Sequence, residues 1–307
     1  MVKPRVIGVT NALTDMLVPI TDQELDEIEL SKGRHTSIRK INFSRLQRIV
    51  NRRTPKKFLG GGPTNTIRGI NNLGVQSSLI GAVGEDEVGN EFVNQLYAEG
   101  IEPYFIRIPN RESGKCFVFI TPDGERSFVV NEGVYANYPN VDFRKLPKQD
   151  WFYSSGYELI SHPERMLDFA KSLKQIGTRI SFDLAAEAMV ERCPDKFEEM
   201  SSYSDIIFAS EEEMGAFRGL DDKIVNGRIF VLKKGQKGSI IYHNRKRVGV
   251  SSVKISKLVN TNGAGDSYAA GFLVAYMQGR KLKHCGDMAS IIASKVCSQE
   301  ESWYRGN

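Results

Sequence analysis

Four residues near the C-terminal end of the chain, Gly263-Ala264-Gly265-Asp266, place a carboxylate after three small residues, just ahead of a segment of helical composition. Small residues at the start of a helix leave its first backbone N–H groups accessible, and the helix dipole adds positive potential there, so the segment can hold an anion. Asp266 could then take a proton from an attacking hydroxyl while the N–H groups stabilise a transferring phosphoryl group. Alternatively Asp266 is a simple helix N-cap, and these four residues alone do not separate the two interpretations.

A second glycine-rich segment, Gly60-Gly61-Gly62-Pro63-Thr64-Asn65-Thr66, also precedes a helical pattern. Consecutive glycines permit positive φ angles and close approach of the backbone, and the amide of Asn65 offers a polyol both a donor and an acceptor. The segment lacks the spacing and the terminal Lys-Ser/Thr of a P-loop, and it does not match the GxGxxG dinucleotide fingerprint. Taken alone, it is most simply interpreted as a structural turn.

The elements around these segments alternate in the manner of an α/β protein. Val6–Val9 is typical of a buried parallel strand, followed by a polar loop at Thr10–Asp15. Beyond Asp150 the pattern predicts strands and helices in turn, at 151–153, 164–174, 178–182, 197–200, 206–208, 211–217 and 229–232. Such alternation favours right-handed βαβ units with helices on both faces of a sheet. Cys116–Ile120 and Arg126–Val130, joined through Pro-Asp-Gly, indicate an antiparallel hairpin.

In this order, the segments resemble the ribokinase/PfkB superfamily of carbohydrate and nucleoside kinases. The resemblance rests on Gly8…Asn11…Asp15, Gly60-Gly61…Asn65, Gly84-Glu85-Asp86-Glu87-Val88-Gly89, Gly235-Gln236-Lys237-Gly238 and the Gly263 to Asp266 run. Residues 22–36 and Thr261-Asn262-Gly263 resemble the adenosine-kinase-like branch in particular.

The resemblance implies a doubly wound α/β fold, with a mostly parallel sheet flanked by helices and a small β-rich lid. Residues 1–15 and 59–307 would form the kinase domain, and 16–58 the lid insertion, with further lid strands within 103–131. Association as a monomer or as a homodimer through the lid is expected.

The resemblance also implies a role for each matching residue. Asp266 resembles the catalytic base, and the backbone of Gly263, Ala264 and Gly265 the anion hole. Contacts to the hydroxyl groups of the substrate are expected from Asn11, Asp15, Gly61 and Asn65, with Gly60 and Gly61 as the hinge of the lid. Contacts to the nucleotide are expected from Lys233, Lys234, Gly235, Gly238, Thr261 and Asn262.

Three features depart from the superfamily pattern. Relatives usually carry Asn-x-x-Glu near magnesium, and here Glu213 matches while Ser210 replaces the asparagine; a hydroxyl can still hold a metal-bound water, so Mg²⁺ remains expected. The catalytic motif opens with Asn260 instead of an aspartate that relatives associate with a monovalent cation, which predicts little activation by potassium. The C-terminal residues 298–307 do not follow the pattern expected beside the adenine of the nucleotide.

The function expected from the resemblance is ATP-dependent phosphorylation of a primary hydroxyl of an adenosine-like nucleoside. A kinase for a free sugar or sugar acid, of the ribokinase or ketodeoxygluconate kinase type, shares every catalytic feature and stays open. Apolar side chains suited to a base are present at Leu17, Ile20, Phe117 and Phe119, but core packing explains them equally well. A non-catalytic binding protein of the same fold has no need of Asp266, and an NAD-dependent oxidoreductase would need the missing glycine fingerprint.

Composition narrows the remaining possibilities. The 307 residues are 40% hydrophobic and carry 42 basic against 37 acidic side chains, a balance that does not indicate nucleic-acid binding. Four cysteines without a CxxC pair favour reduced thiols over a metal or redox site. No signal peptide and no membrane span are predicted, so a cytoplasmic enzyme that binds a small substrate and ATP is expected.

Overall fold

A computed structural model describes residues 4–134, 146–217 and 227–306. Its strands form two sheets, one of nine strands and one of five. The strands are β1 (Arg5–Val9), β2 (Leu13–Pro19), β3 (His35–Ser37), β4 (Lys56–Gly60), β5 (Gln76–Gly84), β6 (Glu102–Ile108), β7 (Gly114–Ile120), β8 (Arg126–Asn131), β9 (Trp151–Ser155), β10 (Arg179–Asp183), β11 (Ile206–Ser210), β12 (Ile229–Lys233), β13 (Ser239–His243) and β14 (Lys246–Val250).

The described helices follow the apolar periodicity of the sequence. They are α1 (Asp22–Glu27), α2 (Phe43–Asn51), α3 (Gly62–Asn72), α4 (Glu87–Ala98), α5 (Gly156–Ser161), α6 (Pro163–Gln175), α7 (Glu187–Arg192), α8 (Pro194–Tyr203), α9 (Glu211–Ala216), α10 (Ala264–Met277) and α11 (Leu282–Cys297). None of these described helices is long and apolar enough to cross a bilayer.

The nine-stranded sheet has the order β14-β13-β12-β11-β10-β9-β1-β5-β6 and is parallel except for β13 and β14. From β1 the chain first builds towards β5 and β6, and then returns to the other side of β1 with β9. The strand order therefore reverses between β1 and β9, and open α/β sheets bind ligands beyond the carboxyl ends of the strands at such a point.

Apolar clusters cover both faces of this sheet. One is built mainly from side chains of α3, α4, α10 and α11, and the other from those of α5 to α9, each packed on buried strand residues. Helix α10 is buried along most of its length, and Phe272 within it contacts Phe208 of β11 edge-on at 5.6 Å between ring centroids. Two helical layers around a mostly parallel sheet confirm the predicted doubly wound α/β class.

The five-stranded sheet has the order β3-β8-β7-β2-β4 and a small core of its own. Strands β7 and β8 form the predicted antiparallel hairpin. The predicted polar loop at Thr10–Asp15 is wrong in its second half, because Asp15 lies within β2 and pairs with Cys116 of β7. Strand β2 begins at Leu13 and strand β4 ends at Gly60, so this sheet reaches a few residues beyond the predicted insertion 16–58 on each side. Strand β6, which lies within the range 103–131 expected to hold further lid strands, belongs to the larger sheet.

Candidate active site

Two clefts meet at the carboxyl ends of the main-sheet strands. The first encloses about 630 Å³ between the two sheets, and its walls include Asp15 and Phe128 from the smaller sheet and Asp183 and Asp266 from the larger domain. The second encloses about 570 Å³ between β12, the segment 252–258 and helices α10 and α11. The two clefts share three lining residues, which are Lys233, Gly235 and Gly265. A group transferred between ligands in the two clefts would pass these residues.

The N-terminus of α10 points its free backbone N–H groups at this junction. Gly263 caps the helix in the left-handed conformation, with φ of +73°, and any side chain there would collide with the carbonyl oxygen of Ser302. The N–H of Ala264 donates to the carbonyl of Thr261 at 3.2 Å. Among the described residues, no hydrogen-bond partner is found for the N–H groups of Gly263, Gly265 and Asp266. The N–H groups of Gly263 and Gly265 are thus available to an anion, whereas the N–H of Ala264, the third residue of the predicted anion hole, is already paired.

Asp266 stands in the first turn of α10 and is not the N-cap. Its Oδ2 accepts a hydrogen bond from Nδ2 of Asn65 at 3.0 Å, which connects the two glycine-rich segments. Burial raises the pKa of Asp266 to about 7; the hydrogen bond from Asn65 opposes this rise and the Asp183 carboxylate adds to it. A carboxyl group with a pKa near neutrality is suited to accept a proton from a hydroxyl.

A buried ion pair lies beside Asp266. Lys233, at the end of β12, donates from Nζ to Oδ2 of Asp183 at 2.7 Å, and Asp183 ends β10 two strands away. Burial alone would lower the pKa of Lys233, but the carboxylates of Asp183 and Glu213 outweigh it and raise the pKa. The lysine therefore stays charged, and a Cβ built at Gly265 would lie 3.4 Å from its Nζ. A fixed positive charge at the junction of the clefts is suited to a phosphoryl group.

Asp15 and the glycines of the second segment are packed against each other. A side chain at Gly60 would collide with the carboxylate of Asp15, and a Cβ at Gly61, whose φ is +94°, would lie 2.8 Å from Oγ1 of Thr10. Burial raises the pKa of Asp15 to about 7, with Arg126 lowering it and the Asp266 carboxylate raising it. Asp15 and Gly61 line the first cleft, where the predicted substrate contacts would have to lie. Gly60 is not among the lining residues, and its missing side chain leaves room for the Asp15 carboxylate.

Asn11 is held by a residue that the sequence did not single out. Its backbone N–H donates to Oε1 of Glu158 at 2.9 Å, and its Nδ2 donates to Oγ of Ser161 at 3.1 Å. Burial raises the pKa of Glu158 to about 7, while hydrogen bonds from Ser155 and Asn11 lower it. In the part of the chain that the structure describes, the buried Oδ1 atoms of Asn11 and Asn65 have no hydrogen-bond partner. Both oxygens could accept hydrogen bonds from hydroxyl groups of a ligand.

Glu213 and Ser210 form a capping box at the start of α9. The N–H of Ser210 donates to Oε2 of Glu213 at 2.8 Å, and the N–H of Glu213 donates to Oγ of Ser210 at 3.2 Å. Burial and the Asp183 carboxylate raise the pKa of Glu213, so a cation there would relieve two adjacent negative charges. Over the described ranges, no group of three or more His, Cys, Asp or Glu side chains is arranged to hold a metal ion.

The predicted nucleotide contacts divide between the two clefts. Lys233 and Gly235 line both, Gly238 lines the second, and Lys234 and Asn262 line the first. Lys234 is paired with Glu211 at 2.8 Å. Thr261 is exposed, and among the described cleft walls it lines neither.

The proposed base-contacting side chains on the smaller sheet lie elsewhere. Phe117 and Phe119 are buried in that sheet's own core together with Ile20, so core packing is the correct explanation for them. The aromatic rings that line the first cleft are instead Phe128 of β8 and Tyr157 of α5. The sequence could have indicated Tyr157, because this residue comes just after the end of the buried strand β9. It could not have indicated Phe128, because the position of Phe128 depends on the register of the hairpin.

A doubly wound α/β chain with a free helix N-terminus and a buried carboxyl group at the junction of two clefts fits the class of small-molecule phosphotransferases. The pfkB family of carbohydrate kinases matches residues 36–303. A nucleoside kinase from Methanocaldococcus jannaschii is 28% identical over 253 residues, covering 78% of this chain and 80% of the relative. A probable sugar kinase from Rhizobium etli is 27% identical with a TM-score of 0.85, covering 99% of this chain and 96% of the other.

Adenosine kinase from Sinorhizobium meliloti superposes with a TM-score of 0.83 over 98% of this chain and 96% of its own; at 24% identity it shows the shared fold. The chain belongs to the pfkB family of carbohydrate kinases. It is a phosphotransferase that acts on a sugar or a nucleoside, and the family's use of ATP agrees with the predicted cofactor. The predicted family and enzyme class are therefore confirmed.

Proposed function

We propose that this protein transfers the γ-phosphoryl group of ATP to a primary hydroxyl of an adenosine-like nucleoside, with Asp266 as the base. The observation that carries this proposal is the position of Asp266. Its carboxylate is bound to Asn65 in the first cleft and lies in the first turn of α10, where Gly265, whose N–H is free, lines both clefts. A base between acceptor and anion hole is the arrangement that direct phosphoryl transfer requires.

The chemistry follows from the residues at the junction of the clefts. Asp266 takes the proton of the attacking hydroxyl, the N–H groups of Gly263 and Gly265 bind the equatorial oxygens of the phosphoryl group, and Lys233 adds positive charge. Glu213 and Asp183 would hold a Mg²⁺ ion that neutralises charge on the phosphates, through water or directly. The glycines at 60 and 61 would let the smaller sheet close over the acceptor and exclude water.

A nucleoside is favoured as acceptor by the aromatic rings of Phe128 and Tyr157, because a flat base can stack against such surfaces. Asp15 and the unpartnered Oδ1 atoms of Asn11 and Asn65 can accept hydrogen bonds from ribose hydroxyls. A sugar acid is the second candidate, since the half-buried Arg126 beside Asp15 could pair with its carboxylate.

The test is a coupled ADP-release assay over nucleosides, neutral sugars and sugar acids. We expect turnover with a nucleoside, and Asp266→Asn should lower kcat by about 10²–10⁴-fold while substrate binding stays measurable. Asp168→Asn, an exposed aspartate on α6, is the matched control and should keep full activity. Turnover with sugar acids and none with nucleosides would transfer the assignment to the second candidate. Near-normal turnover of the Asp266 variant would refute the mechanism.

A further inference from the structure

The C-terminal segment 299–304, which follows α11, lies directly on the loop that forms the anion hole. The carbonyl oxygen of Ser302 occupies the space that any side chain at Gly263 would need. The N–H groups of Val259 and Asn260 both donate to the carbonyl of Cys297, at 2.8 and 3.2 Å. The loop before α10 is therefore held by the C-terminal part of the chain at Val259, Asn260 and Gly263.

Asn260 joins the two segments through its side chain. Its Nδ2 donates to the carbonyl of Glu300 at 2.9 Å, and its Oδ1 accepts from the N–H of Asn262 at 2.9 Å. The side chain is 5% exposed, so both hydrogen bonds are shielded from water. An aspartate at this position would lack the N–H donor, and its negative charge would face the partially negative carbonyl oxygen of Glu300. The amide is thus required for this particular connection, which gives a reason for asparagine at position 260.

Trp303 fixes the same segment to α3. Its ring is 6% exposed and lies 3.3 Å from the guanidinium carbon of Arg68, which is itself fully buried and paired with Glu99. Phe58 of β4 contacts the other part of the indole, at 6.1 Å between centroids. Helix α3 also carries Asn65, the partner of Asp266. One aromatic side chain therefore connects the helix that orients the base with the segment that covers the anion hole.

We propose that Asn260 and Trp303 are positioning residues for phosphoryl transfer: through the segment 299–304 they hold the loop 260–263 in the conformation that exposes the anion-hole N–H groups. The proposal rests on the proposed function. An anion hole contributes most when its donors need no reorganisation during the reaction, and the loop 260–263 has no helix or strand of its own to hold it. The segment supplies that rigidity without touching the acceptor.

Hydrogen exchange measured by mass spectrometry tests the positioning without any need for turnover. In Trp303→Leu and Asn260→Asp, the amides of 260–265 should exchange at least about tenfold faster than in the wild type. Strand β10 serves as the internal reference and should be unchanged. Trp303→Phe keeps a ring over Arg68 and should exchange close to the wild-type rate, and Tyr97→Leu, at an exposed aromatic of α4, is the matched control.

Kinetics supply the second readout. Trp303→Leu and Asn260→Asp should lower kcat by about 10–100-fold, since small displacements of catalytic donors have effects of this size, while KM for the acceptor changes little. Trp303→Phe should restore most of the rate. If Trp303→Leu does not fold, Asn260→Asp and the phenylalanine variant decide the question.

Unchanged exchange of 260–265 in the variants would overturn the proposal. So would variants that lose folded protein while the folded fraction keeps the wild-type kcat, because a merely structural role predicts loss of folded protein and not slower turnover. A wild-type protein without phosphoryl transfer would refute the proposed function instead, and the exchange data would still show whether the segment holds the loop.

Discussion

Asp15 and Asp266 line the first cleft and Glu158 holds Asn11 nearby, and burial raises the pKa of each of these three carboxyl groups to about 7. The unfolded chain ionises an aspartate near pH 4. Between pH 4 and 7 the native protein therefore binds more protons than the unfolded chain, and the free energy of unfolding falls as the pH rises. These residues cost stability at neutral pH, which is the usual signature of a functional site.

Asp266→Asn removes one of these ionisable groups and therefore tests whether the pKa of Asp266 is raised. We expect the variant to gain stability relative to the wild type as the pH rises, with the difference in free energy of unfolding growing by about 2–3 kcal/mol between pH 5 and 8. Denaturant unfolding without ligands at several pH values measures this. Asp168→Asn, at an exposed aspartate, is the matched control for the loss of one carboxylate. A constant difference for Asp266→Asn would mean that its pKa is ordinary in the folded protein.

At the level of residues, the sequence predicted the site where a local motif carried the signal. Asp266, Asn65, Gly61 and Lys233 all line one cleft, as the resemblance implied. Asp183 and Glu158 were missed because each is a single acid, at the end of strand β10 and in the short helix after β9, and only the strand order brings them to the site. The signal available for Asp183 was its position as the polar residue at the end of an apolar run, directly after Phe182.

At the level of elements, the antiparallel pair β2 and β4 determines where Asp15 stands. Gly60 is paired with Leu13, and its missing side chain leaves room for the Asp15 carboxylate. The sequence predicted a loop over Thr10–Asp15 because its polar residues obscured the alternation of a strand whose partner β7 lies far along the chain, with Leu13 opposite Gly114. Long-range pairing of this kind has no local signature.

Gly60→Ala tests the importance of that space. The new methyl group must displace the Asp15 carboxylate, so we expect KM for the acceptor to rise about tenfold or more and the protein to lose about 1–3 kcal/mol of stability, as overpacking does. Steady-state kinetics and denaturant unfolding measure the two effects. Gly249→Ala in β14, where the added Cβ meets open space, is the matched control. An unchanged KM in the Gly60 variant would show that Asp15 does not contact the acceptor.

At the level of the whole molecule, two sheets with separate cores border one cleft. The smaller sheet has its own apolar cluster around Phe119, and the larger sheet is covered by two further clusters on its faces. The alternating pattern beyond Asp150 predicted the larger sheet well, because each parallel strand there is a short apolar run. The pattern could not predict the relative placement of the sheets, which depends on the turns around Gly60 and on contacts far apart in the sequence.

A ligand in the first cleft touches both sheets, whereas a ligand in the second touches the larger domain and reaches the shared residues Lys233, Gly235 and Gly265. Acceptor binding therefore bears the cost of bringing the sheets together, and an ATP analogue that reaches the shared residues gains contact with an acceptor already held beside them. We expect positive coupling of about 1–3 kcal/mol between acceptor and a non-hydrolysable ATP analogue.

Calorimetric titration of each ligand in the absence and presence of the other measures this coupling. Each should tighten the other by the same factor, about 5–150-fold, because coupling between binding sites is reciprocal. Gly60→Ala should weaken acceptor binding while leaving the affinity for the ATP analogue alone near that of the wild type, since its added methyl group meets Asp15 on the acceptor side. Independent binding, with a coupling factor of one, would mean that the two sheets keep a fixed separation and that closure plays no part in excluding water from the transfer.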